Sequence, residues 1–221
     1  MTRGLAELID RADPGLPIVQ EWIAEAACLV EILPCTPAAG DAALLGVQVT
    51  TRSPLGAICH GTGGILVDDG WLRILGAGCA RLPRSLPGWN AGKFPTDGEG
   101  RAGALLIADD VVGGFFALNG GGIANCATGS VAYFAPDTLK WEDLGCGYSP
   151  FLCWGWSGRL AEFSRNFRWE GWRDEVRALG GDKVIGIAPP VWAAGPPIAG
   201  RSRRPVPVAE VWGMNGGASL E

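Results

Sequence analysis

Between Gly103 and Trp156 the chain is punctuated so tightly by glycine and proline that few folds are open to it. GALLIADDVVGGFFALNGGG and, after a short polar break, GSVAYFAPDTLKWEDLGCGYSPFLCWGW alternate apolar runs with turn residues. ALLIADD (104–110) reads as an apolar strand ending in two acids. GGFFALNGGG (113–122) pairs back on it, with Gly120–Gly122 free to take positive φ. SVAYFAP (130–136) runs to a Pro136-Asp137 turn and TLKWEDLG (138–145) returns. Connections this short force neighbouring strands to be antiparallel. Ser149 and Pro150 then supply the cap and first turn of a helix whose buried face is Phe151, Leu152, Trp154 and Leu160.

The flanks read as helices around further strands. Leu5, Leu8 and Ile9 predict a helix over 3–11, and Ile18, Val19, Trp22, Ile23 and Ala26 a second over 14–27, opened by Asp13-Pro14. LVEIL (29–33) has strand character, and Thr36-Pro37 starts a third helix through Ala42–Leu45. VQVTTRSP looks extended, and strands are expected at about 55–60 and 64–68, joined by Gly61–Gly63. From 76 to 100 apolar periodicity vanishes, which predicts a long loop with one helical turn at Ser85–Asn90; such loops are commonly functional or mobile. WEGWRDEVRAL (169–179) predicts a last amphipathic helix, and 180–219 a proline-broken segment lying across the surface, closed by an element anchored on Val211, Trp212 and Met214. The sum is an α+β fold: one domain over 1–219, a mainly antiparallel sheet flanked by N-terminal and C-terminal helices. Leu220-Glu221 reads as a cloning scar.

Composition excludes some functions. A net charge of −5 argues against nucleic acid, whose phosphates call for a basic surface. No apolar run reaches the length of a membrane span, and the acid-bearing N-terminus lacks the apolar core of a signal peptide. Seven dispersed cysteines without a CxxC read as thiols in a reducing cytoplasm and give no zinc spacing. The glycine runs lack the nucleotide-binding patterns, so no cofactor and no metal is expected.

The acid pairs Asp68-Asp69 and Asp109-Asp110 each end a strand. Turn chemistry accounts for aspartates there, and strand neighbours point to opposite faces. A glycan hydrolase would need two of Asp68, Asp69, Asp109, Asp110 and Glu142 facing one cleft roughly 5–10 Å apart, beside a tryptophan platform. His60, the one histidine, follows Cys59 directly, and adjacent side chains cannot form a thiol–imidazole pair. Of ten tryptophans, core packing takes most and leaves two or three partly exposed. A large exposed apolar patch, if the chain has one, is to be sought in the proline-rich stretch 186–200.

TTRSPLGAICHGTGGILVDDGWLRILGAG, RSLPGWN, LLIADDVVGGFFALNGG, YFAPDTLKWEDLGCGYSPFLCWGWSG and RSRRPVPVAEVWGMN, in that order, resemble a bacterial family of domains of unknown function (catalogue number 2625). That resemblance implies no activity. More remotely, an acidic strand end, GGFFALNG, a strand ending in a proline turn, KWE and a GYSPFL…W helix are similar to the SUKH superfamily of Smi/Knr-like domains, many of them immunity proteins against secreted toxins. Asp109, Asp110, Gly113, Gly114, Phe116, Asn119, Gly120, Trp141, Phe151 and Trp154 match that pattern. The expectation is a non-enzymatic protein-binding domain with no catalytic set, docking a protein partner (a toxin, if the SUKH likeness holds) through Asp109, Asp110, Asn119, Trp141 and Trp154. The glycan hydrolase is the alternative.

Overall fold

A computed structural model describes residues 2–98, 100 and 102–215; the expected scar at 220–221 lies outside them. The protein is α+β. Seven strands form one sheet in chain order, every neighbouring pair antiparallel: β1 (Val30–Leu33), β2 (Gly64–Val67), β3 (Leu72–Leu75), β4 (Ala104–Asp110), β5 (Phe115–Asn119), β6 (Val131–Ala135) and β7 (Lys140–Asp143). The glycine turns of the central stretch dictate this meander. At the β4–β5 turn Gly113 has φ +93°, and a Cβ on Gly114 would lie 2.3 Å from the Asp110 carboxylate and 2.5 Å from the Tyr133 hydroxyl. Neither position accepts a side chain.

Helices cover one face of the sheet. α6 (Tyr148–Trp156) lays Phe151 and Trp154 on Phe116, with ring centroids 5.1 and 6.3 Å apart. α4 (Pro54–Gly61) packs on α6, and α2 (Leu16–Ala24) and α3 (Pro37–Val47) pack on α4. α1 (Leu5–Leu8) touches α3, and α7 (Arg159–Phe163) brings Phe163 onto Tyr133 at 5.0 Å. No helix among the described residues is long and apolar enough to cross a membrane.

The other face is covered by the two segments expected to lie outside the packing. The stretch 76–100 sends Leu82, Arg84, Leu86, Trp89 and Phe94 inward, with α5 (Leu86–Asn90) lying on β4. α8 (Trp172–Arg177) leads to a two-stranded ribbon, β8 (Lys183–Ala188) and β9 (Ser202–Pro207), and α9 (Val208–Met214) returns Trp212 onto Phe115 at 5.0 Å. Pro205 and Pro207 stand opposite Ile185 and Lys183, and Ile185 turns its own N–H away from β9 to the Val111 carbonyl at 2.7 Å. These are the non-bonded positions of the ladder, where proline withholds no hydrogen bond.

Several expected boundaries move. Residues 55–60 are helix, not strand: Ser53 accepts the Gly56 N–H at 3.1 Å and Pro54 opens the first turn, a start signal that outweighs the apolar run after it. VQVTTRSP forms no strand; Gln48 ends α3 with φ 56°. α2 begins at Leu16 with Gly15 as its cap and Pro17 in its first turn; Asp13 does not cap it, its carboxylate pairing with Arg52 at 3.2 Å, and Asp10 closes the preceding turn by accepting the Ala12 and Asp13 N–H groups. The cap of α6 is Gly147, two residues earlier than Ser149, and α8 is shorter than 169–179. In the closing element Trp212 is buried but Met214 is exposed.

Candidate functional site

The acids at the end of β4 face opposite ways, as strand geometry requires. Asp109 pairs across the sheet with Arg73 on β3 and has no exposed surface. Its Oδ1 accepts from Arg73 Nε at 2.6 Å, and its Oδ2 accepts from Arg84 Nη1. The two guanidiniums also bond backbone: Arg84 Nε and Nη2 donate to the Gly181 carbonyl at 3.0 and 2.9 Å, and Arg73 Nη1 donates to the Lys183 carbonyl. Burial pulls Arg73 below its ordinary pKa range, against the attraction of Asp109. One carboxylate and two arginines thus tie β3, β4, the 76–100 segment and the 180s together.

Asp110 points to the helical face and is 3% exposed. Its Oδ1 accepts the Val112 and Gly114 N–H groups at 3.0 and 2.8 Å, and its Oδ2 accepts the Tyr133 hydroxyl at 2.8 Å. Burial raises its pKa although these bonds oppose the shift, and burial with the nearby Asp110 charge raises that of Tyr133. Asn119 is likewise internal. Its amide donates to the Ile123 and Cys126 carbonyls at 3.1 and 2.8 Å and its oxygen accepts from Gly121 and Ile123, so it folds the loop after β5. Trp141 packs on Phe134 and Phe94, and Trp154 on Phe116, Phe151 and Phe163, both half-buried and on opposite faces. The five residues do not converge on one surface. Any contact of Asp109, Asp110 or Asn119 with a partner runs through the loops they hold.

The hydrolase geometry is not assembled either. Asp68 and Asp69 sit in left-handed turn conformations and pair with Arg168 at 2.6 Å and with Arg173 and Arg177 at 3.0 and 2.7 Å. Arg168 is stacked between Trp71 and Trp172, 4.9 and 4.3 Å from the ring centres, so these tryptophans hold arginines rather than offering a sugar platform. Glu142 is exposed on the edge strand beside Thr138. His60 sits near the end of α4, 3.0 Å from Asp41. Burial pushes the neighbouring Cys59 thiol up to about 12. Among the described residues no group of three or more metal-ligating side chains occurs.

What the structure does gather is an apolar groove of about 170 Å³ between β8, the β4–β5 turn and α9. Leu139, Val191, Trp192, Val211 and Met214 line it, with Trp192 56%, Met214 76% and Leu139 39% exposed. Ile185 has spent its outward N–H on Val111, whereas the next outward N–H on β8, that of Ile187, has no acceptor among the described residues. Trp192 falls in the proline-rich stretch singled out for an apolar patch. Leu139 comes from the β6–β7 turn, and Met214, expected as an anchor of the closing element, from the end of α9.

A seven-stranded antiparallel meander, helical on one face and closed by an arginine-anchored segment on the other, defines the class of α+β protein. The chain belongs to the family described as Protein of unknown function DUF2625, whose model matches residues 5–211. It is 42% identical over 212 residues to a putative uncharacterized protein YbfG of Escherichia coli (strain K12), covering 96% of this chain and 95% of that one. It is 38% identical over 171 residues to an uncharacterized protein of Haemophilus influenzae, covering 77% and 75%. No solved structure matches the chain, and the SUKH likeness gains no support from these matches.

Proposed function

We propose that the protein is a non-enzymatic recognition domain that takes an extended apolar segment of a protein partner in the groove beside β8. The observation that carries this reading is the grouping of Trp192, Met214 and Leu139, all exposed, along a strand edge with an unused N–H. Exposed aromatic and methionine side chains around a concavity are the usual anchors of protein interfaces, and a strand edge lets a bound segment add main-chain bonds. Asp68, Asp69, Asp109 and Asp110 are, by contrast, spent on arginines or on turn N–H groups, and Glu142 stands apart from them on the edge strand. The SUKH likeness makes a secreted toxin the partner class to try first, with Asp109 and Asp110 holding the β4–β5 turn and the 180s in place behind the groove.

The test is capture from native-host lysate followed by reconstitution with the purified partner, comparing wild type with Trp192→Glu/Met214→Glu. Both side chains are exposed, so the substitutions should shift stability by only about 0.5 kcal/mol or less. A partner bound by wild type and at least tenfold more weakly by the double variant is the expected result. No protein partner, or one held equally by both, would overturn the reading.

A further inference from the structure

A second cavity, of about 320 Å³, opens on the arginine-anchored face and is independent of the apolar groove. Arg73, Arg81 and Arg177 line it against a single carboxylate, Asp182. Arg73 belongs to a buried cluster in which two guanidiniums share Asp109, and the next carboxylate, Asp110, is turned to the opposite face and to Tyr133. Among the described residues the two buried guanidiniums behind the cavity therefore share one ion-paired carboxylate, and Asp110 adds attraction to Arg73 only through space. The two rim arginines are half exposed. Arg81 bonds only Glu31 through Nη1, which leaves its other nitrogens without a partner among the described residues, and exposed pairs of that kind exchange easily. Arg177 is committed to Asp69 through Nε and Nη2, so it contributes field rather than free donors.

The backbone adds to this. Gly180, Gly181 and Asp182 form the cavity's turn, and none of their N–H groups meets an acceptor among the described residues. Consecutive unspent N–H groups beside guanidiniums are the usual makings of an anion site. Gly181 is fixed there by crowding, since a Cβ would come within 2.2 Å of the Arg81 carbonyl oxygen. The rest of the lining is apolar: Leu66, Pro83, Val111, Val176 and Leu179. The cavity lies near the lower end of the size range of small-ligand sites, about 300–1,000 Å³.

We propose that this cavity binds a small organic anion, a carboxylate or phosphate on a short apolar body, with its head group at Arg81 and the Gly180–Asp182 turn over the Arg73 charge. The apolar wall takes the body, and Asp182 at the rim disfavours ligands carrying a second negative charge at the far end.

The experiment titrates the full chain with inorganic phosphate and, separately, with hexanoate, following backbone amide chemical shifts at 0.15 M salt. Arg81→Glu and Arg159→Glu are run beside wild type. Both replace an exposed arginine and change net charge equally, but Arg159 begins α7 on the helical face of the sheet. The expected result is saturable shifts at Gly180–Asp182 with at least one probe, weakened tenfold or more by Arg81→Glu and unchanged by Arg159→Glu. Whichever probe binds more tightly identifies the head group, and hexanoate alone shifting Val176 or Leu179 confirms the apolar wall. No saturable shift with either probe, or equal weakening by the two variants, would overturn the proposal.

Discussion

The helical face and the arginine-anchored face of the sheet are both buried, but the chain that covers them is of two kinds. On the first, Phe151 and Leu152 arrive on a helix whose backbone hydrogen bonds are already made within it, so apolar shape suffices to dock it. On the second, much of the covering chain is irregular and brings unsatisfied carbonyls with it. Those of Gly181 and Lys183 are met by Arg84 and Arg73, and the N–H and C=O of Leu106, at the β4 bulge, by the Asn90 side chain at 2.7 and 2.8 Å. A buried carbonyl without a donor costs as much as a lost hydrogen bond or more. Irregular chain can therefore cover a sheet only if side chains supply what a helix supplies for itself. Asp109 is what allows two guanidiniums to be buried to do so.

The sharpest way to break that account is to remove Asp109. Asp109→Ala leaves Arg73 and Arg84 buried without their carboxylate, and the expected loss is about 3–5 kcal/mol of unfolding free energy in urea. The loss should be local first: the Ile185 N–H, bonded to Val111 across the docked segment, should lose exchange protection before the amides of β5 and β6. A cost below about 1 kcal/mol would mean that the segment is held by its tryptophans instead. Leu152→Ala on the helical face is expected to cost about 2–5 kcal/mol, with the cost unchanged between low and high salt and across neutral pH, since only a cavity is made.

The next contrast is one of sign. Asp110 is an acid whose folded pKa lies above its ordinary 3.8 because burial penalises its charge. The folded state then holds more protons than the unfolded one between those two values, so the Asp110 contribution falls as pH rises through that window. Asp143 is the opposite case: Ser130 and the Ala127 and Gly145 N–H groups bond its carboxylate and lower its pKa. Its contribution is present above the unfolded pKa and is lost as pH falls through the folded one. Stability curves from pH 3 to 7 should therefore show Asp110→Asn gaining on wild type with rising pH, and Asp143→Asn losing ground. The same slope for both variants would refute the assignment.

The glycine-punctuated centre was legible because its signals are local: Gly113–Gly114, Gly120–Gly122 and Pro136-Asp137 mark turns whatever surrounds them. The stretch 76–100 was legible only as a helical turn at Ser85, since its burial depends on Arg84 meeting Asp109 and Gly181, residues 25 and 97 positions away. Nothing local announces such a pairing. The acids stand out by their position, but their availability depends on partners far along the chain, arginines for Asp109 and Tyr133 for Asp110, so both read as open groups and are closed ones. Leu139 and Trp192, in two turns, and Met214, at the end of α9, converge from three separate parts of the chain, and no spacing rule connects them. The strand expected at 55–60 differs from these. The Ser-Pro start at 53–54 is of the kind relied on at Thr36-Pro37, and the same rule applied there gives the helix.

The smallest effects separate local from imported stability. Ser53 caps α4 and Ser85 caps α5 with the same bond, accepting the N–H three residues on at 3.1 and 3.2 Å. Loss of such a cap costs about 1 kcal/mol when only the bond is lost. α4 has eight residues and lies among α2, α3 and α6, so Ser53→Ala should cost that and no more. α5 has five, too few to stand alone, yet it carries Trp89, which stacks on Arg84 at 4.9 Å, and Asn90, which clamps Leu106. If the arginine cluster and the Asn90 clamp define α5 from outside, its cap is redundant and Ser85→Ala costs less than Ser53→Ala. If α5 must form before those bonds can close, loosening its first turn also weakens them and Ser85→Ala costs more. Paired urea denaturation of the two variants decides which, and a larger cost at Ser85 would mean that the irregular face depends on local structure after all.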